Sequence, residues 1–188
     1  MINAELKHVK TLEEFYSEIR RQQEEAHGDD YCGQHDAIKK YLSLPECNSY
    51  KELGTHQGAT AACAMLCHPK SIELIDNNMS KYHKFLKPIA EKYCKDNNIK
   101  LTVTQADSAG LGSIGHLCDI LLIDSYHKGY HMQKELELHG GLAKKYIIAH
   151  DTTAVPELEH CLRIFAEKER WKVIEQIKTN VGFMVLKK

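Results

Sequence analysis

The sequence predicts a doubly wound α/β fold: a seven-stranded, mostly parallel sheet with helices on both faces and an antiparallel strand at its carboxyl-terminal side. Three observations carry this expectation. Short apolar segments alternate with amphipathic helical ones, the order that produces parallel strands joined by crossover helices. One segment, Asp119 to Asp124 (DILLID), is nearly unbroken in its apolar character, as a strand covered on both faces requires. Finally, Trp171 to Lys178 and Gly182 to Lys187 flank a turn at Thr179-Asn180, which reads as an antiparallel hairpin.

Composition bounds the function before any motif does. With 188 residues, 43% hydrophobic and 27% charged, the chain suits one domain with a full core. A formal net charge of -1 gives no basic excess for nucleic acid or an anionic membrane. No apolar run approaches the length needed to span a bilayer. Charges in MINAELKHVKTLEEF occupy the place of a signal peptide's apolar segment, so a cytoplasmic location is expected. The seven cysteines are odd in number and scattered, as in a reducing compartment. Cys63 and Cys67 lie one helical turn apart but lack a second pair, which argues against a metal site there. Nothing in the sequence fixes an oligomeric state.

In chain order, residues 11 to 27 predict a first helix, with a capping box at Thr11 and Glu14 and a stop at Gly28. A polar turn, Gly28 to Gln34, precedes a short helix from Asp36 to Leu42. These first 48 residues are expected to pack on or cover a core spanning residues 49 to 188, within one compact domain.

The unit that follows, YKELGTHQGATAACAMLCHPKSIELID from Tyr50 to Asp76, reads as strand, turn, helix and second strand. Gly54 and Gly58 bracket the turn. Asp76 follows at roughly the 20-residue spacing that places a carboxylate against ribose hydroxyls in a doubly wound sheet. The glycine spacing G-x-x-x-G lacks the central glycine of G-x-G-x-x-G, which disfavours a dinucleotide and an NAD-dependent oxidoreductase. The start of the helix after the turn offers free N–H groups suited to a carboxylate.

A helix over Ser80 to Cys94, kinked or broken at Pro88, leads to a strand from Lys100 to Thr104. Asp107 and Ser108 then lie where a third strand presents polar groups to an adenine, or form an ordinary surface turn. Gly110, Gly112 and Gly115 make a loop. Beyond Asp124 a helix runs to about Leu142, and the strand Tyr146 to Ala149 ends at His150-Asp151-Thr152. A last helix starts at Pro156 and reaches about Glu169.

Ligands in parallel sheets sit beyond the carboxyl ends of the strands, where Gly54, Asp76, Asp107, Asp124 and Asp151 all fall. Asp124 and Asp151 are two hard oxygen ligands on neighbouring strand ends, suited to Mg²⁺ with Thr152 or water completing the shell. Several of the 12 histidines also fall where strands end. His127 is the natural base beside the acids. His127 and His131 are spaced as helical zinc ligands can be, but HExxH is absent. A metal-free site using the same residues is one alternative, and the bland one makes the acids helix caps and His127 a surface residue.

These blocks together resemble class I S-adenosylmethionine-dependent methyltransferases. Glu52 to Ala61 (ELGTHQGATA) resembles their first motif, and Leu74 to Asp76 the acid after the second strand. More narrowly, the chain is similar to catechol O-methyltransferase-like and macrocin or sugar O-methyltransferase-like enzymes. Gly28-Asp29 with Gly33-Gln34 resembles a G-D-x-x-x-G-Q segment. Asp124, His127 and Tyr130 resemble D-x-x-K-x-x-Y, and His150 to Pro156 resembles an A-D-N segment. The resemblance implies a Rossmann-like methyltransferase fold and methyl transfer to a small-molecule hydroxyl. It places Glu52, Gly54, Thr55 and Gly58 at the methionine part of S-adenosyl-L-methionine, Asp76 and Asn77 at its ribose, and Asp107 or Ser108 at its adenine. Asp124 would serve cofactor, catalysis and metal, Asp151 and Thr152 the metal, and His127 the proton transfer. Tyr126 matches an aromatic wall. Two positions depart from the pattern: His127 replaces a lysine, and Thr152 an asparagine ligand. The competing reading is a non-catalytic cofactor-binding or interaction domain.

Overall fold

The computed structural model describes Leu6, residues 9–110 and residues 115–188; Gly112 of the expected glycine loop lies outside them. The first helix, α1 (Leu12–His27), opens with the capping box: Thr11 Oγ1 accepts the Glu14 N–H at 3.2 Å, and Glu14 Oε2 accepts the Thr11 N–H at 3.3 Å. It buries Leu12, Phe15, Tyr16 and Ile19, and Gly28 ends it at φ 105°. Helix α2 (Gly33–Leu42) starts before Asp36, so the polar turn is shorter than its composition implied. Next come β1 (Ser49–Leu53), α3 (Ala59–Met65) and β2 (Ser71–Asp76).

The helix expected over Ser80 to Cys94 is two, α4 (Ser80–Phe85) and α5 (Lys87–Asp96). Pro88 has no N–H to continue α4 and instead occupies the first turn of α5, where that donor is not needed. Strands β3 (Lys100–Gln105) and β4 (Cys118–Ile123) follow, and the described residues between them form turns and extended chain without a helix. Helix α6 (Gly129–His139) ends in a 3-10 turn, Gly140–Leu142, before β5 (Ala143–His150). The chain continues through α7 (Pro156–Glu169), β6 (Lys172–Ile177) and β7 (Phe183–Lys187).

The seven strands form one sheet in the order β3-β2-β1-β4-β5-β7-β6. Strands β1 to β5 pair in parallel, and β7 runs antiparallel to both β5 and β6. Alternation along each strand divides the core between two faces. Tyr50, Ile72, Leu74, Ile120, Leu122 and Ile148 pack under α1, α2, α3 and α5. Leu53, Ile75, Leu121, Ile123 and Ile147 pack under α6 and α7 with Leu136, Leu158 and Leu162. Each such fully buried aliphatic side chain contributes about 1.5–3 kcal/mol relative to exposure.

Register fixes the level at which each strand stops. Leu53 pairs with both Ile75 and Ile123, and Ile123 pairs with Ala149. Gly54, Asp76, Asp124 and His150 therefore leave the sheet side by side. The order reverses between β1 and β4, and a crevice opens beyond the strand ends at such a switch point. No described helix is long and apolar enough to cross a membrane.

Candidate active site

The turn after β1 is held against the end of β4 by the absence of a side chain. Gly54 adopts φ 91°, and a Cβ there would lie 2.0 Å from the Asp124 carbonyl oxygen. The backbones are tied directly, with Asp124 N–H donating to Leu53 O at 2.9 Å and Gly54 N–H to Ile75 O at 2.8 Å. Gly58, at φ 90°, meets Leu86 in the same way, with Cδ2 at 2.3 Å from an added Cβ. Both glycines thus serve a left-handed turn and a close approach together.

A cavity of about 440 Å³ opens beside this turn, within the range of small-molecule sites. Its wall carries Gly54, Thr55, Gly58, Asp76, Asn77, Asp107, Ser108, Asp124, His127 and Asp151, together with Tyr126. Glu52 and Thr152 are not on that wall. Glu52 is fully buried below the turn, where its Oε2 accepts the Tyr50 hydroxyl at 2.6 Å, and burial pushes its carboxyl up to about 8. Thr152 is buried, and its hydroxyl has no hydrogen-bond partner among the described residues.

Asp76 is aimed by two backbone donors: Oδ2 accepts the His56 N–H at 2.7 Å and Oδ1 the Asn78 N–H at 2.8 Å. Each oxygen keeps acceptor capacity for a hydroxyl. Across the cavity, Asp107 accepts the Ala109 N–H at 3.0 Å through Oδ1.

The strongest electrostatic feature is a cluster at the ends of β4 and β5. His127 Nε2 stands 2.9 Å from Asp151 Oδ2 and 3.5 Å from Asp124 Oδ1. His150 Nδ1 stands 3.3 Å from each of the same two oxygens. Hydrogen bonds donated to Asp124 and Asp151 hold His127 protonated up to about 10, against the cost of burial. For His150 burial opposes the charge, but both carboxylates outweigh it and raise it to about 10 as well. Burial would raise Asp124 and Asp151, yet the histidines hold both below the usual carboxylate range. Two imidazolium groups thus balance two carboxylates.

Asp124, His127 and Asp151 each offer a donor atom within 4.8 Å of the others. Donors around one cation at 2.0–2.6 Å are separated by no more than roughly 4–5 Å, so the Asp124 and Asp151 carboxylates are spaced to hold a divalent ion. The carboxylates would hold it. Among the described residues this is the only such grouping of histidine, cysteine and acidic side chains.

Two residues at the site, one on the wall and one behind it, carried no sequence signal of their own. His150 sits one place before an expected ligand, and its direction became visible only with the register of β5. Tyr31 lies in the polar turn between α1 and α2, lines the cavity, stacks on His27 with centroids 4.4 Å apart and meets the His150 ring edge-on at 5.6 Å. Burial first, then Asp124 and Asp151, push its phenol up to about 12, so it remains neutral.

No protein-family model and no curated protein matches the chain. Solved structures do. An O-methyltransferase from Bacillus cereus in complex with SAH aligns with TM-score 0.66 at 16% identity, covering 94% of this chain and 90% of that one. A TDP-rhamnose 3'-O-methyltransferase of calicheamicin biosynthesis aligns with TM-score 0.66 at 11% identity over 97% of this chain and 89% of that one. A methyltransferase from Geobacter sulfurreducens gives TM-score 0.66 at 14% identity, covering 96% and 89%. The chain thus has the Rossmann-like fold of these methyltransferase structures.

Proposed function

We propose that the protein is an S-adenosylmethionine-dependent O-methyltransferase acting on a hydroxyl of a small molecule. The observation that carries this reading is the single cavity that gathers the Gly54 turn, Asp76, Asp107 and the cluster of Asp124, His127 and Asp151. Gly54, Thr55 and Gly58 take the methionine part, Asp76 and Asn77 the ribose, and Asp107 with Ser108 the adenine. Glu52 acts from below, supporting the turn without touching the ligand. S-adenosylmethionine supplies the methyl group on a sulfonium.

Asp124 and Asp151 would hold Mg²⁺, and His127 takes the acceptor's proton at Nε2. Mg²⁺ bound there would supply Lewis-acid lowering of the hydroxyl's pKa. In the unliganded site both carboxylates keep His127 Nε2 protonated, so the imidazole serves as a base only where those carboxylates are otherwise engaged. Tyr31 and Tyr126 flank the acceptor end as apolar walls with polar tips. The fold's O-methyltransferase neighbours support the reaction class.

The test is calorimetric titration of the full chain with S-adenosylhomocysteine, with Mg²⁺ and with a chelator, using NAD as control. Micromolar binding of S-adenosylhomocysteine without NAD binding is the expected result, and coupling to Mg²⁺ supports the metal assignment. Absence of binding under every condition would overturn the reading.

A further inference from the structure

At the β5 end, the wall of the cavity includes the short turn between α1 and α2. Gly28, Asp29 and Asp30 are exposed, and of the residues from Gly28 to Tyr31 only Tyr31 turns inward, lining the cavity with Asp124 and Asp151. Its ring meets His150 edge-on at 5.6 Å and stacks on His27 at 4.4 Å. The chain on either side is fixed. Before the turn, Gly28 N–H donates to Glu24 O at 2.8 Å and continues α1. After it, Cys32 is fully buried, and Gly33 lies so close to Phe183 that an added Cβ would stand 3.0 Å from Cε1. Gly28 itself holds φ 105°, a conformation open to glycine, and supplies a pivot.

What ties the turn down comes from the far end of the chain. Asn180, in the β6–β7 turn, sends Nδ2 to His27 O at 2.6 Å and to Asp30 Oδ1 at 3.2 Å. Hydrogen bonds from Thr179 and then Asn180 hold the Asp30 carboxyl below the usual carboxylate range. Both Asn180 bonds are exposed, so water replaces them at little cost.

We propose that residues 28–31 form a flap over the Asp124 and Asp151 end of the cavity, pivoting at Gly28 and latched shut by Asn180, through which a small molecule reaches those carboxylates. Swinging the turn outward withdraws the Tyr31 ring from His150, which is 3% exposed while the flap is closed. Neither hydrophobic core includes Tyr31, so the motion gives up the latch and the ring contacts and leaves the core packed. Asp76 follows β2 and Asp151 follows β5, three strands apart, so this end opens with the Asp76 end undisturbed. The flap needs the cavity but no particular occupant, so failure of the proposed function would leave it in place.

The experiment treats the full chain with the endoproteinase that cuts before aspartate and follows cleavage at Asp29 and Asp30 by mass spectrometry. Where opening and closing are fast relative to cutting, the rate tracks the open population. Asn180→Gly deletes the amide and keeps a residue suited to the φ of 52° found there. Cleavage at Asp29 and Asp30 should rise about tenfold with the loss of two exposed hydrogen bonds, while cleavage at Asp96 and the melting temperature stay as they are. Tyr31→Ala leaves the Asn180 bonds in place and should raise the same rate about threefold or more, because ring and latch hold one flap. An unchanged rate in either folded variant overturns the inference. A rise shared by Asp96, with a lowered melting temperature, would show that Asn180 only supports the fold, and overturns it as well.

Discussion

His127 carries a charge set by Asp151 at 2.9 Å and Asp124 at 3.5 Å rather than by solvent. Replacing it with alanine removes the proposed proton acceptor but neither carboxylate. Turnover in His127→Ala should fall by about 10²- to 10⁴-fold, with S-adenosylhomocysteine affinity nearly intact in calorimetry. Unchanged turnover would take His127 out of the mechanism. Glu52 offers a pH experiment. Its pKa when folded, about 8, lies above its ordinary 4.5, so it favours the folded state fully below pH 4.5 and loses that contribution as pH rises to about 8. Glu52→Gln does not titrate, so urea midpoints for the two proteins should diverge in favour of the variant between pH 5 and 8. His127 and His150 also lose stabilisation as pH climbs from 6.5 to about 10, but they do so equally in both proteins. The acids of the site were legible because a parallel strand that ends on Asp points it into the crevice. Glu52 was not, because nothing in ELGTH says that a residue beside the turn lies beneath it.

Strand β1 shows where pattern reading stops at the level of elements. Lys51 and Glu52 interrupt its apolar character, yet both are fully buried. Parallel register sets Lys51 opposite Glu73, and Nζ reaches Oε2 at 3.0 Å. Burial raises the Glu73 carboxyl, but Lys51 and the His116 N–H, which donates to Oε2 at 3.0 Å, outweigh it and leave the group below its ordinary value. The His116 backbone, in the connection from β3 to β4, lies against the pair. Lys51→Met should cost about 3–5 kcal/mol in urea denaturation by stranding Glu73, and adding Glu73→Leu should recover most of it. Additive losses would show that the two side chains act independently. Helices were easier to read because their signals are local: Thr11 with Glu14 opened α1, and Pro88 divided α4 from α5. An ion pair between residues on separate strands has no local signature.

At the scale of the molecule, the sheet was legible in the alternation of apolar and amphipathic segments, and its polarity placed the site at the strand ends. The wall beside Tyr31 was not, because it depends on parts distant in sequence. Asn180 Nδ2 donates to His27 O at 2.6 Å and to Asp30 Oδ1 at 3.2 Å, so the hairpin turn braces the α1–α2 turn. Strand β7 follows β6 in the chain but lies between β5 and β6. During synthesis, β5 therefore presents an open edge until β7 arrives, and β6 has no neighbour to pair with before then. A nascent chain that has not yet extended past Phe183 would leave the β5 edge bare, and that edge would invite pairing with other chains. Chains stopped at residue 182 should accordingly aggregate in light scattering, whereas monodisperse behaviour would show that the five parallel strands protect their own edge.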